Sequence, residues 1–175
     1  ITQALLTVAE CPVFVGVGGG TTTGKRSVQM AAVSEMQGAA GCVVNSPATA
    51  EMVEHITNIA DIPVIATVVR CDDDAHAKVR AGAKILNIAA GKNTPQVLRE
   101  LREHYPNLPL IAPGGKTPES IRETIAAGAN AIIWTPPSAQ QLQTDMMQRY
   151  RKMKEDATPV ISRDDVPIID QVAAA

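Results

Sequence analysis

The chain has 175 residues, 45% of them apolar, and a formal net charge of −2. That is enough for one sizeable hydrophobic core, and one domain is the expectation. Aromatic residues make up only 2%, which argues against a module that stacks nucleobases, and the near-neutral charge argues against non-specific binding to nucleic acid or an anionic membrane.

Thr2 to Glu10 carries Ala4, Leu5, Val8 and Ala9 at helical spacing, and Cys11 and Pro12 end that segment. Val13 to Val17 reads as a strand, followed by Gly18, Gly19, Gly20 and three threonines as a long polar loop. Arg26 to Gln37 reads as a helix with Val28, Ala31, Ala32 and Met36 on its apolar face. Cys42 to Val44 is the next strand, Ala48 to Ile59 the next helix, and Pro63 to Val69 a nearly all-apolar strand. Asp72, Asp73 and Asp74 open a helix that ends at Ala81-Gly82-Ala83; consecutive Asp residues there suit caps and dipole partners. Lys84 to Ala90 is a strand, Gly91 to Thr94 a loop and Pro95 to His104 a helix. Pro109 to Glu119 (PLIAPGGKTPE) then gives a buried strand, a glycine turn and a helix start, with Thr117 as cap and Pro118 at the first helical position. Ala131 to Trp134 is the last strand and Ala139 to Asp156 the last helix.

Six strands alternating with helices, at roughly 22 residues per unit, predict a parallel sheet with right-handed connections. Gly38, Gly82 and Gly128 recur at the helix-to-strand turn of every second unit. The expected fold is α/β, a parallel (βα) barrel of TIM type lacking its first one or two strands, with an open doubly wound sheet as the alternative. Residues 1–157 are read as the single barrel domain and residues 158–175 as a C-terminal tail. Ile1 stands where an initiator Met would, in keeping with strands upstream of it, and no signal peptide is read. No apolar run reaches bilayer length. Cys11, Cys42 and Cys71 form neither a CxxC pair nor a disulfide framework, so buried free thiols in a reducing cytoplasm are expected. Unpaired sheet edges, and the apolar pairs Val160-Ile161 and Ile168-Ile169 in the tail, point to a homo-oligomer.

In a βα barrel, the loops that follow the strands build the site. After the first strand, Gly19 to Arg26 reads GGTTTGKR and nearly spells a P-loop, but Arg26 stands where that motif needs a Ser or Thr for magnesium. Gly20, Lys25 and Arg26 remain an anion-binding candidate. Gly114 and Gly115, with Thr135 after the last strand, are the phosphate-binding candidates. Asn87 is a polar residue in the middle of an apolar strand and needs a partner or a ligand; its side of the strand is expected to face the barrel interior. Asn87, Lys92 and Lys116 are the catalytic candidates. The ligand class is a small anionic or phosphorylated molecule. No metal and no cofactor are expected, since His55, His76 and His104 fall within helices and form no zinc-like pairing.

The pieces VGVGGG, VVNSP, IPVIATV, AGAKILNIAAG, PLIAPGG and AGANAII resemble the later part of the 2-keto-3-deoxy-6-phosphogluconate aldolase family, over about two-thirds of the chain. The strand–GG–helix–AGA–strand order also resembles the last two units of the ribulose-phosphate-binding barrels, which implies that the turn at Thr135 shares a phosphate with Gly114 and Gly115. The aldolase resemblance implies lyase chemistry, or the related isomerase chemistry, on a phosphosugar or keto acid. The family's Schiff-base lysine follows an Ala-Gly-Ala helix end by four residues, and Asn87 holds that position here. Asn cannot form an imine, so the resemblance implies a site without that step. AAGKNTPQV and PLIAPGG are also similar to the glycerol-3-phosphate-responsive antiterminator proteins. That second resemblance implies a regulator that binds a phosphorylated ligand without turnover.

Overall fold

The computed structural model describes residues 1–115, 117–135 and 137–157. Lys116 and the tail from 158 to 175 lie outside the described residues. The chain divides into two compact units, Ile1–Trp134 and Thr135–Ala175.

In the first unit the apolar runs pair side by side in chain order. The strands are β1 (Phe14–Gly18), β2 (Gly41–Val44), β3 (Val64–Val68), β4 (Ile85–Ile88), β5 (Leu110–Pro113) and β6 (Ala131–Ile133). All neighbours are parallel, and the spatial order is β1-β2-β3-β4-β5-β6. A doubly wound sheet reverses direction at a switch point. This order never reverses, so the sheet is a partial TIM-type barrel, with β1 and β6 as its open edges.

Helices α1 (Thr2–Val8), α2 (Lys25–Met36), α3 (Ala50–Thr57), α4 (Asp73–Arg80), α5 (Thr94–His104) and α6 (Pro118–Ala126) alternate with the strands. A 3₁₀ turn at Gly91–Asn93 leads into α5. Three of the helices start on caps that are visible in the sequence. Thr49 accepts from Met52 N–H, Asp72 accepts from Ala75 N–H, and Thr117 forms a capping box with Ser120. Helices α2, α4 and α6 end alike. Gly38, Gly82 and Gly128 take positive φ values of 91°, 106° and 108°. The following residue's N–H donates five residues back, from Ala39 to Ser34, Ala83 to Lys78 and Ala129 to Thr124. This is the Schellman turn, in which a side chain at the glycine would be strained.

The register assigns the two faces of the sheet. Val15, Cys42, Val64, Leu86 and Leu110 share one face, as do Val44, Ala66 and Ala112. These residues are buried in the core cluster with Ala31, Val53, Ile56, Leu98 and Leu101 of the helices. The opposite, inner face carries Phe14, Gly16, Val43, Ile65, Thr67, Ile85, Asn87, Ile111, Ala131 and Ile133. At the sheet edges this face is open: Phe14 is 48% exposed and Ile133 42%.

Two expectations are corrected. The buried face of α2 is Ser27, Ala31 and Ser34, while Met36 is 86% exposed. Small residues bring that helix close to the sheet, and the Ser27 hydroxyl finds its acceptor in the Thr22 carbonyl at 3.0 Å. Cys11 is exposed, because it lies ahead of β1 in the approach to the sheet, whereas Cys42 is buried within β2. Burial pushes the Cys42 thiol up to about 11.

At the N-terminal end of the strands, Arg102 of α5 donates to the carbonyls of Tyr105, Pro106, Leu108 and Gly128 and to Asn130 Oδ1, all within 3.2 Å. Asn130 Oδ1 also accepts from the Leu110 amide, so this group ties the starts of β5 and β6 together. Glu35 of α2 accepts from the amides of Asp61 and Ile62 at the entry to β3.

The second unit contains α7 (Ala139–Ala157), capped reciprocally by Ser138 and Gln141. Along it, Leu142, Met146, Met147, Tyr150 and Met153 are exposed. Among the described residues no helix is long and apolar enough to cross a membrane.

Candidate functional site

The C-terminal ends of the strands are where sites form in this fold. Asn87 lies in the middle of β4, paired in register with Thr67 of β3 and Ile111 of β5. It is on the inner face, which the register of the neighbouring strands decides and strand alternation alone does not. Its Nδ2 donates to Thr67 Oγ1 at 3.1 Å. Its Oδ1 is buried without a hydrogen-bond partner and is the only such side-chain atom among the described residues. Thr67 is 7% exposed. On the described inner face these two are the polar side chains, and no lysine, carboxylate or imidazole joins them.

The loop after β1 folds onto the loop after β2. Gly19 N–H donates to the Thr22 carbonyl, and Asn45 N–H donates to the Gly18 carbonyl, both at 2.8 Å. A Cβ at Gly19 would fall 2.8 Å from the Asn45 carbonyl oxygen, so this glycine permits two loops to touch. Beside the contact is a hollow of about 250 Å³, lined by Gly16, Gly18, Gly20, Thr21, Thr22 and Asn45 among others. The three residues of the anion candidate part company here. Gly20 lines that hollow, Lys25 lines an apolar groove of about 590 Å³ between α2 and α3, and Arg26 lines a third hollow beside Gly16 and Gln37. Helix α2 opens on Gly24 without a side-chain cap.

The turn after β5 is closed from within. Ser120 Oγ donates to the Gly114 carbonyl at 2.8 Å, and Thr117 and Ser120 cap each other's amides. A Cβ on Gly114 would sit 2.7 Å from Ile132 and 2.8 Å from Ile121; its bare backbone is needed for packing under α6. Gly115 takes a φ of 79°. Thr135 belongs to the second unit.

Lys92 is exposed on the 3₁₀ turn after β4. Next to that turn, a hollow of about 500 Å³ is lined by Arg70, Cys71, Asn93, Gln96 and Glu100. Burial, and then the carboxylates of Glu100, Asp72 and Glu103, raise the Cys71 thiol above its usual range, so it is a neutral thiol at pH 7. Behind it, the His76 ring lies 3.9 Å from Cys71 Sγ and 2.8 Å from the Tyr105 hydroxyl. His76, within α4, therefore stands next to a mouth-side residue, and its contact with Tyr105 joins α4 to the end of α5.

Sequence reasoning also passed over Lys78. Its side chain is fully buried, with Nζ donating to the Ser46 carbonyl at 2.7 Å and to Asp74 Oδ2 at 2.6 Å. It fastens the loop after β2 to the first turn of α4. A lysine flanked by Ala77 and Val79, four residues after an Asp, was the available signal.

No family model matches the chain, and no curated protein matches it. Among solved structures, the chain is similar to a phosphonomutase-like protein of Burkholderia cenocepacia, with TM-score 0.66 and 16% identity over 87% of this chain and 75% of that one. A phosphonopyruvate hydrolase gives TM-score 0.65 and 16% identity over 99% and 71%. A 2,3-dimethylmalate lyase of the PEP mutase/isocitrate lyase superfamily gives TM-score 0.64 and 16% identity over 96% and 69%. These likenesses establish the βα-barrel fold. The resemblance to the aldolases holds at that level, since these three neighbours carry other family names. A mutase, a hydrolase and a lyase at nearly equal similarity also show that the fold does not select the reaction.

Proposed function

We propose that the chain is a small-molecule enzyme of phosphosugar or keto-acid metabolism, of lyase or isomerase type, that works without a Schiff-base lysine. The observation that carries this reading is the Asn87–Thr67 pair on an otherwise apolar inner face, with a buried oxygen still lacking a donor. A polar pair in such surroundings is a poor choice for stability and a suitable one for orienting an oxygen-rich ligand. The neighbours' names support the same ligand class, since phosphonopyruvate is a keto acid and dimethylmalate a hydroxy diacid. In this reading Asn87 contacts the ligand, while Lys92 supplies positive charge at the mouth. The glycine turn at Gly114 and Gly115 is the proposed phosphate grip.

The test is a trapping experiment. Incubation with pyruvate and borohydride leaves every lysine unmodified by mass spectrometry, while keto acids or their phosphorylated forms raise the melting temperature. A lysine adduct would restore the imine mechanism through Lys92 or Lys116. A non-catalytic regulator is the second reading, favoured by the lack of an acid/base side chain on the described inner face. Ligand-induced stabilisation with no change in the ligand's NMR spectrum over time selects it.

A further inference from the structure

The Asn87–Thr67 pair cannot satisfy itself. A carboxamide offers one acceptor and two N–H donors, and a threonine hydroxyl offers one donor and its lone pairs. As the amide stands, Nδ2 is used on Thr67 and Oδ1 is orphaned. Turning the amide over would let the Thr67 hydroxyl donate to Oδ1 and would orphan Nδ2 instead. One amide group is left unmet in either setting. Its cross-strand neighbour Ile111 and its same-face strand neighbour Ile85 are apolar and supply nothing.

We infer that the unmet group is the recognition point for a hydroxyl on the ligand, which makes the site selective for a small hydroxy acid over the same acid without its hydroxyl. A hydroxyl both donates and accepts, so it answers the amide in either setting. A bare carboxylate only accepts, and a methylene does neither. A site that holds a buried polar group for one ligand hydroxyl rejects the analogue lacking it, because that group is then left unpaired. This inference rests on the small-acid reading above and sharpens it to one functional group. Thr67 enters as a positioning residue that holds one end of the amide.

The test compares malate with succinate, which differ by one hydroxyl, using calorimetry and thermal shift on the full chain. Malate binds at least about tenfold more tightly than succinate. Asn87→Leu, close to Asn in shape, brings malate down to the level of succinate, with a modest fall in melting temperature because the buried Thr67 hydroxyl loses its partner. Asn87→Ala gives the same loss of preference should the larger side chain prevent folding. A malate preference that survives in the variants, or no preference in the unsubstituted chain, overturns this inference and leaves the small-acid reading standing. Failure of both acids, pyruvate and phosphorylated acids to bind overturns both.

Discussion

The two ends of the sheet are built on different plans. At the N-terminal end, long charged side chains hold the backbone: Arg102 engages four carbonyls and Asn130, and Glu35 engages two amides. At the C-terminal end the loops close mainly through glycines and hydroxyls, with the buried Lys78 holding the Ser46 carbonyl, and hollows remain among them. Lys25 and Lys92 there are exposed. In a βα barrel the first end serves stability and the second serves ligands. Charge is therefore a poor guide to the candidate site, since among the described residues Arg102, with five hydrogen bonds, lies at the opposite end of the sheet.

The comparison breaks most visibly at Arg102. Arg102→Ala leaves several carbonyls without donors and is expected to cost about 3 kcal/mol or more in urea unfolding. Lys25→Ala, an equal loss of charge at the mouth, is expected to stay within about 0.5 kcal/mol. A small effect at Arg102 would remove the distinction between the ends.

A gentler version sets two glycines against each other. Gly114→Ala forces a methyl against Ile132 and Ile121, at about 1–3 kcal/mol. Gly16→Ala meets nothing within 4 Å on the inner face, and its cost is expected to be about 0.5 kcal/mol or less. Equal costs would mean that the inner face is filled.

The smallest effect is read from the thiols. Cys11 is exposed and alkylates first, Cys71 follows slowly, and Cys42 reacts only on unfolding. The Cys42 thiol titrates near 9.0 when free and about 11 when folded. Between those values the unfolded chain has lost a proton that the folded chain keeps, so stability falls as pH rises through that window. Rapid labelling of Cys42 at pH 8 would contradict its burial.

The fold was legible because its signals are local and repeated. Apolar runs of strand length, caps at Asp72 and Thr117, and glycines at 38, 82 and 128 each specify their own turn. The inward direction of Asn87 required the register of three strands as well. The site was less legible because its contacts join segments far apart in the chain. Nothing near Lys78 in sequence indicates the Ser46 carbonyl it holds, and GGTTTGKR reads as one motif although its residues line separate hollows. At Gly19 and Gly114 an added Cβ would meet the protein's own atoms, so these glycines also serve close packing, which the sequence alone does not show.

The unbroken strand order has a kinetic consequence. Each strand bonds only to those before and after it in the chain. Every pairing therefore closes a loop of one helix and its connections, and contacts remain short in sequence, which favours fast assembly. The structure can begin at any adjacent pair and grow outward, as repeat proteins do. Amide exchange should then be slowest in β3, buried along its whole length, and faster toward β1 and β6, where each edge strand is held by one neighbour.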